Sequence, residues 1–223
     1  MRELSASQGA SAAASRWVFF RAWEFFCSEV QRCQYLIKFE PSLRPARNQP
    51  LKATIAGNQG LDYSFEMKLA RIQKSDFDQI LLELEEFWGD RHEYILPLHH
   101  PIFFHEFGDT GFVLRDDARV AAYLLGFALK EKGLAYIHLI GVRQSNRKQG
   151  AASKLYEHFF ELAEAQGCDR VKAITTAKNH GSIEFHRALG FELQGNPNDE
   201  GIPVVKDYRC PGEDRVVFIK KLK

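Results

Sequence analysis

At 223 residues the chain accommodates one domain of ordinary size plus an extension, and with 45% of its residues hydrophobic it can bury a full core. A formal net charge of +1 gives no general attraction to nucleic acid or to an anionic membrane, so neither is expected as a partner and any basic surface is local. Cys27, Cys33, Cys168 and Cys210 form no C-x-x-C pair, which argues against a disulfide scaffold, and no apolar run approaches the ~18 residues of a membrane span; a reducing, cytoplasmic protein is expected.

The first 62 residues form an N-terminal extension with 8 basic against 5 acidic side chains. Ser5 to Ser15 is rich in Ser and Ala and predicts a disordered start. Phe19, Trp23, Phe26, Val30, Cys33 and Ile37 then recur at alternating steps of four and three, one apolar face of a helix over about 17–38. Docking of that face on the main domain, or on a second copy of the chain in a homodimer, is its expected use, with contact to a membrane surface and an unstructured leader as the alternatives. Pro41 to Pro50 reads as a linker, so the main domain is placed at 63–223.

From Phe65 the pattern is regular. A first strand is predicted over Phe65–Ile72, then a helix capped by Ser75 that runs through Trp88 with Phe77, Ile80, Leu81, Leu84 and Phe87 on its core side. A shorter helix is expected over His99–Phe107. Strands at 111–115 and 119–129 flank Asp116-Asp117-Ala118, a hairpin signal. Strand 134–142, helix 150–166, strand 170–176, helix 179–189 and short strands near 191–194 and 215–222 complete the order. An α/β fold follows, with helices on both faces of a sheet.

The chemistry concentrates between Ala135 and Phe191. Period-two alternation along 134–142 puts Tyr136, His138, Ile140 and Val142 on one face and Ile137, Leu139 and Gly141 on the other, and Gly141 marks a bulge or a close approach. The loop Arg147-Lys148-Gln149-Gly150-Ala151-Ala152 leads directly into an amphipathic helix. A helix start leaves backbone N–H groups unpaired and carries partial positive charge, so the N–H groups of Lys148 to Ala152 can converge on a pyrophosphate while Gly150 and Ala152 present almost no side chain. Arg147 and Lys148 add positive charge nearby. His92, His99, His100 and His105 lack neighbouring cysteines or paired spacing, so no metal is expected.

Arg147-x-x-Gly150-x-Ala152 resembles the Q/R-x-x-G-x-G/A loop of the GNAT superfamily of acyl-CoA-dependent N-acyltransferases, and Asn179 to Phe191 is similar to its second hallmark, N-x-x-A/S-x-x-F-Y-x-x-x-G-F. The resemblance covers about 66–222. It implies a mixed, mostly antiparallel GNAT-like sheet and acetyl-CoA as co-substrate, with Ile140 and Val142 holding the thioester and pantetheine arm through backbone N–H groups, and Arg147, Lys148, Gln149, Gly150, Ala151, Ala152, Asn179 and Ser182 completing the cofactor site. Two positions depart from the family pattern. Tyr136 stands where several members carry a catalytic glutamate, which leaves His138 as the candidate base ahead of Glu93, His99 and His100; His186 stands where a tyrosine assists the leaving sulfur. Trp88, Arg91, His92, Tyr94, His99, His100 and Tyr136 form the expected acceptor wall. The implied activity is acetyl transfer to the primary amine of a small molecule by direct attack in a ternary complex. A protein N-terminus or lysine as acceptor, and a non-catalytic acyl-CoA sensor, are the alternatives.

Overall fold

The computed structural model describes residues 67–223; the helix expected near 17–38, the linker and the first residues of the expected first strand lie outside the described residues. Strands run over Lys68–Arg71 (β1), Phe112–Asp116 (β2), Arg119–Leu129 (β3), Leu134–Val142 (β4), Arg170–Thr175 (β5), Glu192–Gln194 (β6), Asn196–Pro197 (β7), Pro203–Val204 (β8) and Val216–Lys221 (β9). Helices run over Lys74–Leu82 (α1), Leu84–Trp88 (α2), His92–Ile95 (α3), Ile102–His105 (α4), Ala151–Ala165 (α5) and His180–Ala188 (α6). One sheet has the order β1-β2-β3-β4-β5-β9-β6, and β7 pairs with β8 in a separate small hairpin. Every neighbour in the large sheet is antiparallel except β4 and β5, which run parallel.

Alternation along the strands divides the core in two. Phe112 and Leu114 of β2 join Ala122 and Leu124 of β3, Leu155 and Phe159 of α5 and Ile183 of α6, whereas Val113 joins Val120, Tyr123 and Leu125 of β3 with Ile80 of α1 and Leu84 and Phe87 of α2. Each fully buried Leu, Ile or Phe contributes about 1.5–3 kcal/mol, so the two clusters clamp the sheet from both faces.

The single helix expected over 75–88 is two helices. Its cap is Gln73 rather than Ser75: Asp76 Oδ2 accepts the Gln73 N–H at 2.7 Å and its Oδ1 accepts Arg115 Nε at 2.9 Å. Glu83 breaks the helix at φ −109°, ψ 22°, and its carboxylate takes an N–H from Arg143 across the core edge. Between 99 and 107 only Ile102–His105 is α-helical.

The decisive irregularity lies in β4. Leu125 pairs with Leu139 and the next β3 residue, Gly126, with Ile137, so His138 is an extra residue in a β-bulge. The bulge overturns the unbroken alternation expected from the sequence. Ile137, Ile140 and Val142 all pack on the α5 side, while Leu139 lies in the α1–α2 cluster and the His138 ring stacks on Phe103 of α4 at 3.8 Å between centroids. Gly141 is explained by a close approach instead. A Cβ there would stand 2.3 Å from Cε1 of Tyr123, so only glycine lets that ring lie across the strand.

Candidate active site

The loop 147–152 enters α5 through left-handed backbone. Lys148 (φ 61°) and Gly150 (φ 78°) both adopt the left-handed conformation, and the first bond of α5 runs from Lys154 N–H to Gly150 O at 3.0 Å. The N–H groups of Ala151, Ala152 and Ser153 therefore have no acceptor within the helix. Beyond its two chain neighbours, no atom lies within 4 Å of a Cβ built on Gly150, so the loop is open on that side, and unpaired N–H groups at a helix start are the donor set that a pyrophosphate requires. Ala151 contributes backbone only, because its side chain is buried in the core. Arg147, expected to add charge, donates Nη2 to Phe87 O at 2.5 Å and Nε to Val142 O at 3.3 Å. Gln149 donates to Ser145 O.

Beside the loop, β4 and β5 part company. They pair only at Leu134–Arg170, Ala135–Val171 and Tyr136–Lys172, although β4 continues to Val142. Arg143 N–H bonds Ala121 O at 2.8 Å on the β3 side, so alternation turns the N–H groups of Ile140 and Val142 the other way, toward the gap. Asn179 caps α6 by accepting the Ser182 N–H at 3.4 Å and donates to Thr175 Oγ1 at the end of β5.

His138 donates its Nε2–H to Leu98 O at 2.8 Å, since a carbonyl can only accept, and this tautomer leaves the lone pair on Nδ1. Burial pushes its imidazole below the ordinary value, with the Leu98 bond opposing, so the ring is neutral at pH 7. His186 is bound differently. Its Nδ1–H donates to Ser182 O at 2.7 Å, its Nε2 then accepts the Tyr156 hydroxyl at 2.9 Å, and its ring stacks on Phe218 at 4.0 Å. Both ring nitrogens are engaged within the core, and burial lowers its pKa against the Ser182 bond.

The expected acceptor wall is drawn together only in part. Trp88 Nε1–H donates to the Tyr123 hydroxyl at 2.8 Å, that hydroxyl donates to His99 Nε2 at 2.7 Å, and His99 Nδ1–H donates to Ile95 O. Burial drives His99 down to about 4, the Ile95 bond opposes, and His138 adds to the fall. The Arg91 guanidinium lies 5.8 Å from the Trp88 ring centroid, whereas Tyr94 is exposed and His92 bonds its own turn at Gly89 O. His100 accepts the Ile102 N–H, and Tyr136, pushed up to about 12 by burial and then by Tyr208, packs on Phe127 at 5.3 Å. Tyr123 and Arg143 were not anticipated. Gly141 within an apolar strand was the one sign of a large ring opposite.

Comparison with known proteins then decides the family. The Acetyltransferase (GNAT) family profile matches residues 74–191. The chain belongs to the GNAT acetyltransferase family. Two L-methionine sulfoximine/L-methionine sulfone acetyltransferases, from Pseudomonas paraeruginosa PA7 and Pseudomonas aeruginosa PAO1, are each 38% identical over 58 residues, 26% of this chain. The match spans about a third of those relatives, 34% of their length. Among solved structures, a Desulfovibrio desulfuricans protein described as a GNAT-family acetyltransferase superposes with TM-score 0.56 at 15% identity, covering 70% of this chain and 99% of that one. Ard1 from Thermoplasma volcanium gives 0.52 at 18% identity, covering 70% and 97%. At these identities the likeness shows the fold, a mixed and mostly antiparallel GNAT sheet flanked by helices. Among the described residues no helix is long and apolar enough to cross a membrane, and no His, Cys, Asp or Glu cluster is set to hold a metal.

Proposed function

We propose that this acyltransferase moves an acetyl group from acetyl-CoA to the primary amine of a small molecule, by direct attack in a ternary complex. The observation that carries the reading is the gap between β4 and β5 beside the Gly150 loop, with free N–H groups along one side and at the helix start. The loop N–H groups from Lys148 to Ala152 would hold the pyrophosphate, and Ile140 and Val142 the pantetheine arm, with Asn179 at the facing helix start. The co-substrate supplies an activated thioester; the chain supplies orientation and a proton acceptor. An alkylamine is mostly protonated at pH 7, and neutral His138, anchored through Nε2, presents Nδ1 to take that proton directly or through water. His186 has no uncommitted proton, so we give it a buttressing part and leave the thiolate to depart without it. The relatives' names favour an acceptor of amino-acid size.

Free-thiol release from acetyl-CoA, measured with amino acids, L-methionine sulfoximine, polyamines and peptides bearing a free N-terminus or lysine, tests the proposal. Release with small amines is expected. Release with peptides alone would move the acceptor class to proteins, and acetyl-CoA binding without release across the panel would make the chain a sensor.

A further inference from the structure

Three side chains leaving β4 reach back to one short stretch, Glu83–Phe87. Arg143, only 3% exposed, donates Nη1 to Glu86 Oε2 at 2.6 Å and Nη2 to Glu83 Oε2 at 2.5 Å. Its Nε donates to Val120 O at 3.0 Å, and its guanidinium lies 4.6 Å from the Phe87 ring centroid. Gln144 donates to Glu85 O at 3.3 Å, and Arg147 bridges Phe87 O and Val142 O. A guanidinium this deeply buried persists because each of its three nitrogens donates to a carboxylate or a carbonyl. Arg119 adds a further pair with Glu83 and Glu86 at 3.4 and 2.9 Å. The segment that leads from β4 into the loop is thus bonded to α2 and its N-cap Glu83 through three residues, Arg143, Gln144 and Arg147.

We propose that Arg143 and Arg147 are positioning residues for the anion loop, and that the carboxylates of Glu83 and Glu86 support coenzyme A binding by holding Arg143. This rests on the loop's being the pyrophosphate site. It reverses the simple electrostatic expectation, in which arginines near a phosphate bind it and carboxylates near it repel it. The guanidinium of Arg147 spans two backbone carbonyls through Nε and Nη2, which ties the loop's first residue to α2 and to the end of β4, so the contribution proposed for it is geometric. The left-handed residues Lys148 and Gly150 aim several N–H groups at one point, and a shift of about 1 Å in the strands that carry them would scatter those donors.

The double variant E83Q/E86Q separates the two accounts, because it keeps shape while removing two negative charges. Titrated with coenzyme A in the full chain, it is expected to bind about tenfold more weakly, with KM for acetyl-CoA raised and kcat little changed. Charge alone predicts tighter binding. R147K keeps the charge but lacks the planar fork that spans both carbonyls, so R147K and R147M should both lose affinity. If the double variant does not fold, E86Q alone, at a half-exposed carboxylate, is read the same way with a smaller loss. Unchanged or tighter coenzyme A binding in the glutamine variants, or wild-type affinity in R147K, overturns the inference. The underlying site is judged separately by Gly150→Asp: if that variant binds normally, the loop reading itself fails.

Discussion

Replacing Tyr123 by Phe removes one oxygen from a fully buried ring and tests the polar relay behind the candidate base. The hydroxyl accepts from Trp88 at 2.8 Å and donates to His99 at 2.7 Å, so Tyr123→Phe deletes two hydrogen bonds and strands an indole N–H and an imidazole lone pair. His99 cannot recover by protonating, because burial already holds it near 4. Each stranded group costs about 1–3 kcal/mol, and a total of about 3 kcal/mol is expected, the Trp88 end being the less buried of the two. For a domain of this size that corresponds to a fall in Tm of about 6–12 °C. Urea unfolding followed by fluorescence reads the loss as a lower midpoint at constant m-value. A loss below about 0.5 kcal/mol would show that the relay does not hold together as described.

His138→Ala addresses the base: kcat/KM should fall about 10²- to 10⁴-fold and lose its acidic limb. In the wild type that limb should lie below the ordinary histidine value of ~6.5, because burial favours the neutral ring; activity is present above the folded-state pKa and lost as pH falls through it. Full activity with the limb intact in the variant removes His138 from the reaction. His186→Phe should leave kcat within about threefold while costing about 1–3 kcal/mol of stability, since it strands the buried Tyr156 hydroxyl. A hundredfold drop in kcat at unchanged stability would restore a proton-donating part to His186.

The path from β4 through the Gly150 loop into α5 was legible because period two gives way to an amphipathic helix at a small-residue loop, and both signals are local. The Asn179 cap of α6 was legible for the same reason. What escaped the sequence depends on partners far along the chain. An apolar run cannot show that His138 is an extra residue, because the bulge exists only in its register against Leu125 and Gly126. Arg143 reads as a solvated loop charge until Glu83 and Glu86, some 57 to 60 residues earlier, are seen around it. The break at Glu83 has the same origin, since helix propensity there is good. Arg147 was placed in the loop correctly, but its direction was set by the Phe87 carbonyl. The family tyrosine position held by His186 suggested a reacting group; the structure turns that ring into the core against Phe218.

The most direct test of the account is calorimetric titration of coenzyme A into Gly150→Asp beside the wild type. The site tolerates a Cβ, with nothing within 4 Å, so the variant is expected to fold with only the cost of a left-handed backbone, about 1–2 kcal/mol. Its carboxylate enters the open side of the loop and repels a pyrophosphate there. Affinity should fall at least about tenfold, equivalent to about 1.4 kcal/mol. A folded Gly150→Asp protein that binds coenzyme A as tightly as the wild type would contradict the assignment of this loop as the anion site.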